Sequence, residues 1–272
     1  MDRRPYGAGA LHRALSDFAR VARVAPMTSR GPMQKEAAPE KAAAARLGLR
    51  FTIAGVAADA LSEGALWIES EGTLVVSDLH LEKGSAFAKR GQMLPPYDTR
   101  TTLLRLADLI ARHAPAIVVS LGDSFHDGGG PARMHADDVA SLRALVGATD
   151  WVWIEGNHDP EVPDTLGGRV HETLRIGALT LRHEPANEDA PGEIAGHLHP
   201  CAKVSARGRA VRARCFATDG ARLVMPAFGA YAGGLNVRDI AFDTVFPRGC
   251  TALMLGRARV YAAPLHRQIG DG

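Results

Sequence analysis

Apolar residues recur in short β-type runs at 51–53, 65–69, 74–77, 117–120 and 151–154, and two stretches with helical spacing, 101–112 and 137–145, fall among them. Short apolar strands alternating with amphipathic helices predict a sheet covered by helices. After Val170 the helical spacing fades while strand-like runs continue at 179–182, 211–216, 222–225 and 251–255. The second half is therefore expected to be richer in antiparallel pairing. With no internal repeat and no linker after residue 47, one domain over residues 48–265 is the economical reading.

Residues 1–47 mix Arg, Ala, Pro and Gly, and the alanine-rich stretch 37–45 holds too few large apolar side chains to build a core. They read as an N-terminal extension, disordered or arising from a start placed upstream of the real one at Met27 or Met33. Leu11, Leu15, Phe18 and Val21 could line one helical face, and the Arg-rich, acid-poor character also resembles a transit peptide.

A chain of 272 residues that is 46% hydrophobic, 23% charged and 6% aromatic excludes collagen, coiled coil and wholesale disorder. No run reaches the roughly 18 apolar residues of a membrane span, so no membrane partner is expected. Cys201, Cys215 and Cys250 are an odd number without a CxxC spacing, which argues against a disulfide framework and fits a reducing cytoplasm. The formal charge of +2 hides nine Lys/Arg against four Asp/Glu in residues 1–47 and 23 against 26 thereafter. Composition therefore gives no support for duplex binding through a broad basic face. One local strip departs from this: Lys203, Arg207, Arg209, Arg212, Arg214 and Arg222 against the single acid Asp219. It reads either as a solvated hairpin face or as a track for a phosphate backbone.

The chemistry gathers where the runs end. The run 74–77 leads into Asp78-Leu79-His80, 117–120 into Leu121-Gly122-Asp123, and 151–154 into Glu155-Gly156-Asn157-His158-Asp159. His183 follows 179–182, and Gly196-His197-Leu198-His199 comes next. Core packing does not explain eight such polar side chains at successive strand ends. Carboxylate, amide oxygen and imidazole without thiolate suit Mn²⁺, Fe²⁺, Co²⁺ or Zn²⁺. Two such ions bridged by one carboxylate polarise a phosphoryl group and generate hydroxide near neutral pH. Asp78, Asp123 and a bridging hydroxide would leave that cluster at net +1, which attracts an anionic phosphate. The glycines before Asp123, Asn157 and His197 are expected to let the backbone turn sharply there.

The ordered set Asp78-x-His80, Gly122-Asp123, Gly156-Asn157-His158-Asp159, His183 and Gly196-His197-x-His199 resembles the calcineurin-like metallophosphoesterase superfamily over roughly residues 51–262. That resemblance implies an α/β fold, a four-layer αββα sandwich of two mixed sheets flanked by helices, without a large cap. It also implies that Asp78, His80 and His199 hold a first metal, that Asn157, His183 and His197 hold a second, and that Asp123 bridges them. His158 would act as general acid or as a donor to the phosphoryl oxygens. His183 has no glycine before it and is nominated by its place between motifs.

The runs Ser77-Asp78-Leu79-His80-Leu81-Glu82-Lys83-Gly84, Gly122-Asp123-Ser124-Phe125-His126-Asp127 and 226–236 are similar to the DNA ligase-associated metallophosphoesterases, DNA damage response endonucleases grouped with a ligase, a helicase and a nuclease. The implied activity is cleavage of DNA phosphodiesters, in single strands or at ends, with Mn²⁺. A phosphatase or pyrophosphatase of small nucleotides and a non-catalytic scaffold of the same fold are the competing readings. No DNA-binding module accompanies the motifs. The glycine-rich stretch 229–234 is not a P-loop, because no Lys-Ser/Thr follows it, and is expected to let backbone approach the metal cleft or to make a tight sheet connection.

Around this set, His126 and Asp127 either support a ligand or touch substrate, or else cap the Gly128-Gly129-Gly130 turn. Lys83, Lys89, Arg90, Arg207 and Arg209 are candidate phosphate contacts, with a solvated surface as the plain alternative. His12, His113, His135, His171 and His266 sit in no motif and read as ordinary histidines.

Overall fold

The computed structural model describes residues 48–158, 162–206 and 208–271. The expectations for residues 1–47, Asp159 and Arg207 lie outside the described residues.

Two mixed sheets face each other. The first holds β1 (Gly48–Ile53), β2 (Val56–Leu61), β3 (Leu66–Ile68), β4 (Thr73–Ser77), β5 (Ile117–Leu121), β6 (Asp150–Ile154) and β7 (Arg169–His171) in sequence order. Pairing is antiparallel from β1 to β4 and parallel from β4 to β7. The second sheet holds β8 (Thr173–Ile176), β9 (Leu179–Arg182), β10 (Glu193–Ala195), β11 (Cys201–Ala206), β12 (Arg209–Thr218), β13 (Leu223–Val224), β14 (Thr251–Leu255), β15 (Val260–Ala263) and β16 (Gln268–Ile269). Its order is β15-β14-β12-β13-β10-β9-β8, with β11 and β16 joined beside β12. Only β9–β10 and β10–β13 are parallel. The expected antiparallel bias of the second half is present, broken at the strands that feed the site.

Among the described residues the α-helices are α1 (Lys83–Lys89), α2 (Asp98–His113), the single turn α3 (Gly130–Arg133) and α4 (Ala136–Ala148). Side chains alternate across each strand, so β4 sends Leu74 and Val76 toward α2 and α4, and Val75 into the space between the sheets. Val119, Leu121, Val152 and Ile154 meet Leu179, Leu181, Ile194 and Phe216 in that inner layer. Burial on both faces is why β4, β5 and β6 read as unbroken apolar runs. The outer face of the second sheet, with Ala217, Val224 and Ala252, is covered by Val237, Phe242, Val245 and Phe246. That fourth layer is an irregular segment whose only regular piece among the described residues is the 3-10 turn Ile240–Phe242. No helix is long and apolar enough to cross a membrane among the described residues.

The basic strip does not survive as one surface. β12 runs from an exposed hairpin into the core, so Arg222, beyond its end, is 3% exposed and paired with Glu193, and Arg214 is half-buried against residues 227–229. Lys203 and Arg212 share Asp271. Arg209 remains on the exposed end of the hairpin.

Candidate metal centre

Five strands, the parallel β4, β5 and β6 of the first sheet and the parallel β9 and β10 of the second, end at one edge of the sandwich. β4 delivers Asp78 and His80, β5 delivers Asp123, β6 delivers Asn157 and His158, β9 delivers His183, and β10 delivers His197 and His199. Carboxyl ends of parallel strands are where open α/β sheets place ligands. The chain turns abruptly there. Asp78, His80, Asp123, His197 and His199 have φ of +52°, +41°, +44°, +66° and +45°, five of the eight non-glycine residues with positive φ among those described. Each such position costs about 1–2 kcal/mol for a residue with a Cβ. Hydrogen bonds from His80 N to Asp123 O and from Leu81 N to Ser124 O, both 2.9 Å, tie the first two strand ends together.

The expected role of the preceding glycines needs correction. The sharp turn falls mostly on the polar residues themselves, and the glycines supply room. A Cβ on Gly122 would run into the His183 imidazole, and one on Gly196 would overlap Ser77 Oγ and lie 2.6 Å from Asp78 Oδ2. Gly122 alone of the two also has positive φ, +66°.

The donor atoms form two sets. In the first, His199 Nε2 lies 3.1 Å from Asp78 Oδ1 and 3.2 Å from His80 Nε2. In the second, His183 Nε2 lies 2.8 Å from Asn157 Oδ1, 3.3 Å from His197 Nδ1 and 3.5 Å from Asp123 Oδ1. The other Asp123 oxygen, Oδ2, is 3.9 Å from His80 Nε2. One carboxylate thus reaches toward both sets.

These contacts fit cations better than hydrogen bonds. Leu121 O can only accept, so the His183 Nδ1 atom 3.0 Å from it carries the proton. Its Nε2 then presents a lone pair toward a carboxylate oxygen and a second imidazole, an arrangement in which a divalent ion replaces the missing protons. Asp78 Oδ1 is fully buried with no well-formed hydrogen bond, which leaves a carboxylate oxygen free to ligate.

Electrostatics agree with ligand readiness. Burial pushes the Asp78 carboxyl up, and His199, His183 and the Ser77 hydroxyl together outweigh it, so its pKa falls below the ordinary 3.8. Burial drives His80 down from 6.5 to about 3, which leaves its ring neutral and its lone pair available. Burial also lowers His126, helped by Lys83 and His158.

His158 stands at the rim, exposed, with its N–H donating to Asp123 Oδ1 at 3.0 Å and its ring 5.8 Å from that of His80. His126 stacks on His158 at 6.0 Å and 11° and lies edge-on to His80 at 5.7 Å. Asp127 points elsewhere, accepting from Gly129 N and Arg133 Nη1. Lys83 stands at the start of α1, half-buried over the Phe87 ring. Arg209 lies at the far end of the hairpin that begins two residues after His199.

Sequence reasoning reached the support beneath the site only in part, through the glycine-rich stretch 229–234 and not through Ser77, Arg105 or Arg214. Ser77 Oγ donates to Asp78 Oδ2, and the loop after β13 lies on the same strand end, with Phe228 N donating to Ser77 O and Gly229 N to Asp78 O. Arg105 and Arg214 hold that loop from behind through the carbonyls of Phe228, Ala227 and Gly229. The glycine-rich stretch does bring backbone close to the cleft: a Cβ on Gly229 would strike Leu79 O and one on Gly234 would strike His199 O.

Residues 73–203, which include all seven candidate metal ligands and His158, match the family model described as calcineurin-like phosphoesterase. This segment is a calcineurin-like phosphoesterase domain. Its fold is similar to that of the Pseudomonas putida nuclease MPE, with a TM-score of 0.62 at 24% identity over 79% of this chain and 100% of that one. Yfce, a phosphoesterase from E. coli, aligns with a TM-score of 0.36 at 16% identity over 74% and 99%. No curated protein matches the sequence. A calcineurin-like phosphoesterase is a hydrolase of phosphoester bonds that uses divalent metal ions, and the candidate ligand groups Asp78, His80, His199 and Asp78, Asp123, His183 lie in the matched segment.

Proposed function

We propose that the chain is a metal-dependent phosphodiesterase of nucleic acid, cleaving DNA with Mn²⁺ as the first ion to test. The observation that carries it is the meeting of two donor sets at Asp123, one carboxylate oxygen toward each. On this reading Asp78, His80 and His199 hold one ion, Asn157, His183 and His197 hold a second, and Asp123 bridges. Distance alone also groups Asp78 with Asp123 and His183. The His183 nitrogen nearer Asp78 is Nδ1, already committed to Leu121 O, which favours Asp123 as the shared carboxylate. Two such ions polarise a phosphoryl group, supply hydroxide near neutral pH and offset the charge that develops on the phosphoryl oxygens.

The chain's own groups do the rest. The His158 backbone is pinned by its N–H to Asp123, while its exposed ring is free to meet a leaving sugar oxygen and give it a proton, or to donate to a phosphoryl oxygen. His126, stacked against that ring, restricts where it can point. That a protein of the same fold is named a nuclease supports nucleic acid as the substrate. A place in DNA repair beside a ligase, a helicase and a nuclease rests on the motif resemblance.

The test is turnover by the purified protein with Mn²⁺ on bis-p-nitrophenyl phosphate, p-nitrophenyl phosphate and single-stranded DNA. The diester and the strand are expected to be hydrolysed in preference. A preference for the monoester overturns the reading in favour of a small-molecule phosphatase.

A further inference from the structure

β9 and β10 run parallel side by side, yet only ten residues, 183–192, join them. Parallel neighbours ordinarily need a crossover of about a dozen residues or more, most often a helix that satisfies its own backbone groups. Here the crossover holds no helix, so its N–H and C=O groups need partners from elsewhere. It also carries the chemistry, because His183 is its first residue and β10 leads straight on to His197 and His199.

Arg222 and Glu193 supply those partners. Arg222, 3% exposed, donates from Nη2 to Ala186 O at 2.7 Å, and from Nη1 to Glu188 O at 3.1 Å and Val245 O at 3.4 Å. Its Nε and Nη2 also donate to Glu193 Oε1, so all five guanidinium N–H groups are used. Glu193, at the start of β10 and 2% exposed, turns its other oxygen to Ala186 N at 2.9 Å and stands 3.5 Å from Arg182 Nη1. The buried pair thus grips the crossover just past His183 and fastens it to the strand that delivers His197. Above that grip Gly196 N donates to His183 O at 2.8 Å, and the His183 and His197 imidazoles meet at 3.3 Å, Nε2 to Nδ1.

We infer that Arg222 is a positioning residue for the second donor set, holding His183 against His197 through the carbonyls of Ala186 and Glu188. The inference rests on the reading that Asn157, His183 and His197 share an ion, and deepens it by naming what keeps two of those ligands together in the metal-free chain. Charge alone does not do this. A buried ion pair is by itself weak evidence of stabilisation, and a lysine would preserve the pair. What a lysine cannot reproduce is the planar fork that reaches Glu193 and three carbonyls of two separate segments at once.

The experiment is Mn²⁺ titration calorimetry of the metal-free full chain, with amide exchange followed by NMR in the same metal-free protein. The parent chain is expected to bind two ions. Arg222→Lys should weaken one of them about 10–100-fold, the usual effect of losing a group that orients a ligand, and leave the other within about twofold. Gly196 N–H, bonded to His183 O, should exchange about tenfold faster, while Leu81 N–H, bonded to Ser124 O beside the first donor set, keeps its rate. Turnover of bis-p-nitrophenyl phosphate by the variant should recover as Mn²⁺ is raised, which a merely structural loss would not do. Should Arg222→Lys fail to fold, Arg222→Met combined with Glu193→Gln leaves neither partner's charge unpaired, keeps an acceptor for Ala186 N and carries the same expectations. Equal weakening of both ions, weakening of neither, or equal acceleration at Gly196 and Leu81 overturns the positioning role. A parent chain that binds a single ion refutes the two-ion reading instead, and the difference between Gly196 and Leu81 then decides the role of Arg222 alone.

Discussion

His80 and His199 face each other through their Nε2 atoms at 3.2 Å, each with a lone pair or a proton directed at the other and Asp78 Oδ1 at 3.1 Å from His199. Burial holds the His80 pKa at about 3 against an ordinary 6.5. Between those values the unfolded chain binds a proton that the folded one does not, so the contribution of His80 to stability is complete above pH 6.5 and is lost as pH falls toward 3. Denaturant unfolding of the metal-free protein from pH 8 to pH 4 should show stability declining on the acid side. His80→Gln should flatten that decline, and an equal acid loss in the variant would contradict the buried neutral imidazole.

Asp123 is 2% exposed, its oxygens reach toward both donor sets, and it also receives the His158 N–H. Asp123→Ala should therefore lower turnover of a phosphodiester by roughly 10³-fold or more, the scale of several kcal/mol of transition-state stabilisation. Metal stoichiometry by elemental analysis should drop by at least one ion. Cys215→Ser offers the contrast, because Cys215 lies fully buried in the layer beneath residues 237–250. Its hydroxyl costs about 1–2 kcal/mol of stability, with turnover nearly unchanged. Similar activity losses in the two variants would remove Asp123 from the centre.

What the sequence disclosed and what it hid follow from the range of the interactions. Asp78, His80, Asp123 and Asn157 announce themselves because each stands within four residues of a compact apolar run, a local pattern. β9 and β14 are found at their observed bounds for the same reason. β10 is three residues long, shorter than any periodicity can reveal, and β2, rich in alanine, carries too little contrast. The pairing of Arg222 with Glu193 spans 29 residues, so a charge that looked solvated is in fact a core ion pair. The glycines of the motifs pointed to sharp turns, while their actual service is to leave room for side chains from distant strands.

That service makes Gly196 a sensitive position. A methyl group there would overlap Ser77 Oγ and press on Asp78 Oδ2, the two atoms that orient the first donor set. Gly196→Ala is expected to destabilise the fold by about 1–3 kcal/mol, a fall of several degrees in melting temperature, and to weaken Mn²⁺ binding measured by calorimetry. Gly208→Ala is the control with matching chemistry, since a Cβ at Gly208 meets nothing within 4 Å. Its φ of +74° still costs about 1 kcal/mol, so the comparison isolates the metal-binding effect, which only Gly196→Ala should show.

Arg105 sits behind the site with its guanidinium 4.1 Å from the centre of the Phe228 ring and an N–H donated to Phe228 O. No acidic partner neutralises it at close range among the described residues, and burial, with Arg214 nearby, lowers its pKa to about 10. It remains charged at pH 7, and the charge is stabilised by the ring face and by carbonyls of the loop that covers Ser77 and Asp78. Arg105→Met removes a charged hydrogen bond and a cation–π contact, together about 2–4 kcal/mol, against which the relief of repulsion with Arg214 is a smaller gain. Stability should fall by less than that sum, and Arg105→Lys should recover only part, since an ammonium cannot lie flat on the ring. A double-mutant cycle with Phe228→Leu should give a coupling of about 1 kcal/mol. Additive losses in that cycle would show that the guanidinium and the ring act independently, and that the loop is held over the metal-binding strand end by its backbone alone.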